Sequence, residues 1–175
     1  MTNRGDRREP IFRDDRDRHC FLETLGQACA KTAWPVHALG LMANDFPLVV
    51  ATPKGNLVTG MKWFLGTYAA RFNRRHQFFG HRFGGRYKAL LVDAVSPGCL
   101  RTVCEYVHLN PVRAQLLATE VSLRDYAWSS YPEYLKPPSR RWRWLRGERW
   151  FGELRLPQDR PAARLELERQ MEEGR

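Results

Sequence analysis

The sequence predicts an α+β chain: an antiparallel sheet with helices packed on one face, followed by a helical C-terminal extension. Three observations carry that prediction. Apolar residues recur at helical spacing in three stretches, beginning near Asp15, Leu57 and Pro97. Two short β-rich runs joined by a tight corner separate the first stretch from the second, and another β-rich run separates the second from the third. Finally, hydrophobic residues make up 43% of 175, enough for one real core and too many for a disordered chain.

The elements follow in order. Asp14 or Asp15 is placed to cap a first helix running to about Lys31, with Phe21, Leu22, Leu25, Ala28 and Cys29 on one face. Trp34 to Met42 and Phe46 to Thr52 read as strands of a hairpin turned at Asn44-Asp45. Asn56 then caps a second helix whose buried face is Leu57, Met61, Phe64, Leu65, Tyr68 and Phe72. A Gly-rich basic loop leads to a strand at about Arg86 to Asp93. Ser96-Pro97 opens a third helix with Leu100, Val103, Cys104 and Val107 as its stripe, and Pro111 is expected to end it. Helix, hairpin, helix, strand and helix fit a ferredoxin-like arrangement. That topology needs a first strand, for which Met1 to Arg4 is short. The domain is expected over residues 1–135. Residues 136–175, opening at Lys136-Pro137-Pro138-Ser139, form the basic, Trp-rich linker and helical extension with an acidic end.

Charge points to a partner. Lys and Arg number 29 against 19 Asp and Glu, a formal charge of +10. Such an excess suits a polyanion, whose bound counterions are released on contact. The four cysteines, Cys20, Cys29, Cys99 and Cys104, form no CxxC pair and read as buried thiols of a reducing compartment. The longest apolar run, Trp34 to Pro53, is interrupted by Pro35, His37, Asn44, Asp45 and Pro47 and is no membrane span. Met1 to Arg18 carries both charges and does not resemble a signal peptide, so a cytoplasmic protein is expected.

The excess is concentrated. Residues 71–88 read RFNRRHQFFGHRFGGRYK, with Arg71, Arg74, Arg75, Arg82, Arg86 and Lys88, five aromatic rings and no acid. Cations pair with phosphates while flat rings stack on unpaired bases, a combination suited to single strands or hairpin loops. On an extended run, Arg86 and Lys88 project to one side and Tyr87 to the other. A second cluster, Arg140-Arg141-Trp142-Arg143-Trp144 with Arg146 and Arg149, reads equally as a further contact or as a patch packing the tail onto the domain.

Six stretches then resemble, in order and spacing, the REP-associated tyrosine transposases, the single-tyrosine branch of the HUH endonucleases. They are TNRGDRREPIFRDD (Thr2 to Asp15), LMANDFPLVV (Leu41 to Val50), GTYAARFNRRH (Gly66 to His76), GHRFGGRYKALLV (Gly80 to Val92), EYVHLNPVRA (Glu105 to Ala114) and YAWSSYPEYL (Tyr126 to Leu135). The resemblance covers roughly residues 1 to 135. It implies a protein that recognises structured single-stranded DNA and cuts one strand through a 5′-phosphotyrosine, with Mg²⁺ or Mn²⁺ as cofactor.

By position the nucleophilic tyrosine is Tyr106, and Asn110, four residues on, shares its helix face. Arg4 and Arg113 join the residues of the basic segment as candidate DNA contacts. The family's two metal-binding histidines correspond to Asp45 and Pro47. Two apart on a strand, these positions project from one face. Asp45 can offer oxygen to a hard cation, whereas the Pro47 side chain has no donor atom. Two readings therefore stay open: a DNA-cleaving transposase with an altered metal site, or a catalytically inert DNA- or RNA-binding regulatory module. A homodimer, formed through the third helix or the tail, is compatible with both.

Overall fold

The structure, a computed structural model, describes residues 1–5, 9–93, 95–118, 120–156 and 158–175, with Arg4 described in its backbone alone. Strand β1 (Thr2–Arg4) is short, yet it forms. The Met1 ammonium donates to Leu48 O at 2.7 Å and Leu48 N donates to Met1 O at 2.8 Å, closing a ladder that β1 alone would leave weak. Helix α1 (Asp15–Thr32) starts as the sequence predicts, with Asp14 Oδ1 accepting from Asp17 N at 3.0 Å. It stops at Ala33, whose φ of 61° is left-handed and whose N–H closes on Cys29 O.

Strands β2 (Val36–Leu39) and β3 (Asp45–Val50) form the expected hairpin, and the sheet runs β1-β3-β2, all antiparallel. Helix α2 (Leu57–His76) follows. Of the expected strand at Arg86 to Asp93 only one isolated antiparallel bridge forms, Thr2 with Lys88, and a second, Gly5 with Phe83, precedes it. Between them β1 advances three residues and the loop five, so the Gly84-Gly85 pair bulges out and breaks the ladder. The bridges lie beside β1, on the edge away from β2, where a ferredoxin-like sheet would carry its fourth strand.

Two faces are covered, not one. Phe46 of β3 packs on Phe21 of α1 and Phe64 of α2, with ring centroids 4.7 and 6.1 Å away. Pro47 must point oppositely. There it meets helix α3 (Cys99–Arg113): a methyl group added at Gly40 would lie 3.6 Å from Pro47 Cγ and 3.4 Å from Val107 O. Pro47 is tolerated inside a sheet because residues 46 and 48 make the bonds to β1, while its carbonyl accepts from Gly40 N at 3.1 Å.

Three helix-end expectations are corrected. Asn56 does not cap α2 with its side chain. Its Oδ1 instead accepts from Trp34 Nε1 at 2.7 Å and its Nδ2 donates to Thr32 O at 3.0 Å, tying the end of α1 to the start of α2. Ser96 does not cap α3, because its hydroxyl bonds Asp93, and the helix begins at Cys99 after Gly98. Pro111 does not end α3, which runs on to Arg113, since a proline in the last turn removes only one backbone bond.

The extension is part of the same core. Trp144 O accepts from Val36 N at 3.0 Å and Arg146 N donates to Val36 O at 2.8 Å, so residues 144–146 line the free edge of β2 as a parallel strap. The short helix α4 (Tyr131–Tyr134) and helix α5 (Glu148–Glu153) bring Tyr131, Tyr134 and Trp150 around the buried His108. Helix α6 (Pro161–Glu173) buries Leu167 and Met171. The buried stripes of α3 and α6, which sequence alone left available for self-association, are thus covered within the chain.

Candidate nucleic-acid interface

The basic segment divides into a structural half and an exposed half. Arg71 donates to Thr24 Oγ1 at 2.7 Å and Gln27 Oε1 at 2.9 Å, riveting α2 to α1. Arg75 grips Asp14 with both terminal nitrogens and also reaches the buried Asp17. That guanidinium, hydrogen-bonded to the Asp14 carboxylate, holds the Asp14 pKa well below the usual carboxylate range. Arg82 is only 2% exposed: it pairs with Glu9 at 2.6 Å and sits 4.7 Å from each of the Phe72 and Phe78 rings. These three arginines, expected as phosphate contacts, are committed to protein partners.

Arg74, Arg86 and Lys88 are exposed and their side chains have no partner among the described residues. Tyr87, between the last two, is half-buried against the core, so the alternation expected on an extended run holds. Exposed His81 and Arg86, with Gly80, Gly84 and Gly85, line one side of an open groove of about 610 Å³. Leu65, Gly66 and Ala69 of α2 line the other. Gly80 and Gly85 adopt φ of 122° and 107°, conformations that side chains resist, so glycine is needed for the loop to curl here. The side chain of Arg4 lies outside the described residues.

The acidic tail does not neutralise this surface. Glu166 and Glu173 pair with Arg169 on α6 itself, Glu168 pairs with Arg124, and Glu172 accepts from Ser122 Oγ and Leu123 N at 2.7 and 2.8 Å. The second Arg/Trp cluster is largely structural. Trp142 stacks on Trp144 with centroids 4.9 Å apart, and a Cβ at Gly26 of α1 would come within 3.0 Å of Trp144 Nε1.

On α3, Tyr106 is 52% exposed and Arg113 lies over its ring at 5.2 Å. Asn110 is half-buried, one turn further along the helix. His108 points inward, as its helical phase requires, and is fully buried. Its Nε2 meets Ser130 Oγ at 2.8 Å, and burial pushes its pKa down to about 3. The same Ser130 Oγ accepts from Leu39 N at 2.9 Å, and Tyr134 donates its hydroxyl to His37 O at 2.7 Å. Ser129 and Ser130 of the Trp-Ser-Ser-Tyr stretch, and Tyr134 after it, thus serve hydrogen bonding within the fold.

The residues at the family's metal positions do not fit a divalent ion. Pro47 is buried against Gly40 and α3 and offers no donor, leaving the one carboxylate of half-buried Asp45. Among the described residues no three His, Cys, Asp or Glu side chains converge to hold a metal. The thiols are all free; burial raises the Cys29 pKa to about 12 and pushes that of Cys104 up as well, so neither is a ready nucleophile or ligand. No helix among the described residues is long and apolar enough to cross a membrane.

Two features were not legible in sequence. Glu9 gives no sign that it pairs with a residue more than seventy positions away, and nothing marks Leu145 as a neighbour of Val36. Comparison with family models, with curated proteins and with solved structures finds no match for this chain.

Proposed function

We propose that this chain binds structured single-stranded DNA as a transposase-like protein, through the exposed cations Arg74, Arg86 and Lys88, of which Arg86 lines the glycine-rich groove. One observation carries the reading: an acid-free stretch exposes three cations that have no partner among the described residues, and one of them, Arg86, lines an open groove. Backbone N–H groups at glycines suit close approach of phosphate, and neighbouring rings suit unpaired bases.

Tyr106 stands exposed on α3 and is the candidate nucleophile of the resembling family, with Asn110 beside it. A phenol near pKa 10 attacks phosphate poorly without an activator. Since the donor set at residues 45 and 47 does not fit a metal, we read the chain as a binder first.

The test is fluorescence anisotropy with a labelled DNA hairpin bearing a single-stranded tail, titrated at several salt concentrations. Three cations at about −0.7 each predict a slope of log K on log salt of about −2 on single strands, and about −0.7 for Arg86→Ala with Lys88→Ala. Undetectable binding at low salt refutes the reading. An RNA of the same sequence bound more tightly favours the RNA module instead. A covalent adduct formed with Mg²⁺ or Mn²⁺, and lost in Tyr106→Phe, establishes cleavage.

A further inference from the structure

Phe79 is 91% exposed, next to Phe78, which is half-buried under Arg82. A phenylalanine left in water forgoes about 2 kcal/mol of burial. Its surroundings are ordered by specific bonds. Asn73 Nδ2 donates to Gly80 O at 3.0 Å, Phe78 N donates to Asn73 O at 3.0 Å, and Gln77 Nε2 donates to Arg74 O at 3.2 Å. The loop after α2 is thus clamped to the last turn of the helix, with the Phe79 ring held out from it.

Phe79 also lines an open hollow of about 400 Å³ with Asn73, Arg74, Gln77, Phe78 and Gly80. That size falls within the range of small-ligand clefts. Arg74 is exposed there, with no partner for its guanidinium among the described residues. A flat apolar face, a partnerless guanidinium and a side-chain amide share one concave surface. From this juxtaposition we infer that the hollow captures one unpaired nucleotide, its base stacked on Phe79 and its phosphate paired with Arg74. The inference rests on the proposed nucleic-acid binding and deepens it: the groove cations hold the backbone, and Phe79 distinguishes an unpaired base from a stacked duplex. Base stacking on an aromatic side chain tolerates any base, so the site selects single-strandedness over sequence.

The experiment compares three DNA hairpins: blunt, with a normal single-stranded tail, and with the same tail made abasic. Each is titrated against the full chain, Phe79→Ala and Phe79→Trp. The wild type should bind the normal tail five- to hundred-fold more tightly than the abasic tail, the span expected for stacking of one base. Phe79→Ala should erase that difference and leave the blunt hairpin unchanged, while Phe79→Trp should keep it. The ring is exposed, so both variants should melt at the wild-type temperature. A Phe79→Ala protein that still prefers the normal tail as strongly as the wild type overturns the inference and leaves groove binding standing. A wild type that binds none of the three hairpins at low salt overturns nucleic-acid binding itself.

Discussion

Histidine 108 makes the stability of this protein depend on pH in a way the structure allows to be worked out. Its imidazole is fully buried among Tyr131, Tyr134 and Trp150; among the described residues Ser130 Oγ is its one hydrogen-bond partner, and Nδ1 has none. Desolvation lowers the folded pKa to about 3, against about 6.5 in an unfolded chain. Between those values the unfolded state binds a proton that the folded state refuses. Stability is therefore intact above pH 6.5 and falls as pH drops towards 3. At about 1.4 kcal/mol per pH unit, the loss from pH 7.5 is about 1.4 kcal/mol at pH 5.5 and about 2.7 kcal/mol at pH 4.5. Carboxyls held low, such as Asp14 and Glu166, add their losses mainly below that window. His37, also depressed by burial, acts in the same direction, so the informative quantity is a difference between proteins. Urea unfolding of the wild type and His108→Gln at pH 7.5, 5.5 and 4.5 measures it. The variant should be less stable at pH 7.5 and should lose about 2.7 kcal/mol less on acidification. Parallel stability curves refute the reasoning. Should the variant fail to fold, NMR of the wild type decides, since an imidazole at position 108 that titrates near pH 6.5 refutes it equally.

Two further outcomes separate packing from binding. Arg82→Ala, which strips the guanidinium from between Phe72 and Phe78 and leaves Glu9 without its partner, should cost about 2 kcal/mol in urea unfolding while the double Arg86→Ala, Lys88→Ala variant unfolds like the wild type. Gly60→Ala, at a buried position in the first turn of α2, should destabilise by about 2 kcal/mol or more in thermal melts. A helical Gly→Ala change normally helps, but here the new Cβ would lie 2.2 Å from Trp34 Cζ2.

Much was legible in the linear order of residues because it depends on short-range periodicity. The helical spacing of Phe21, Leu25, Ala28 and Cys29, the Asp14 cap and the hairpin of β2 and β3 are all local, and each formed close to where it was expected. The shared face of Tyr106 and Asn110, four residues apart, is equally local, and His108, two residues from Tyr106, points away from it. What periodicity cannot carry is the choice among partners that are equivalent in sequence. Asn56, a good cap by type, found Trp34 and Thr32 closer than its own helix end, and Ser96 found Asp93. The strand expected at Arg86 to Asp93 kept only the Lys88 bridge to Thr2, separated by Gly84-Gly85 from the bridge at Phe83.

The basic segment shows the same division. Its six cations and its lack of acid are properties of composition, and so is the long-range attraction to a polyanion that follows from them. Which cations face outward is decided only when α1, α2 and the loop at 80–86 pack together. Arg71, Arg75 and Arg82 then find Thr24, Asp14 and Glu9 from distant parts of the chain, and Arg74, Arg86 and Lys88 find no partner among the described residues. Charge adds up along a chain regardless of fold, whereas desolvation and pairing act only at distances that the tertiary structure sets.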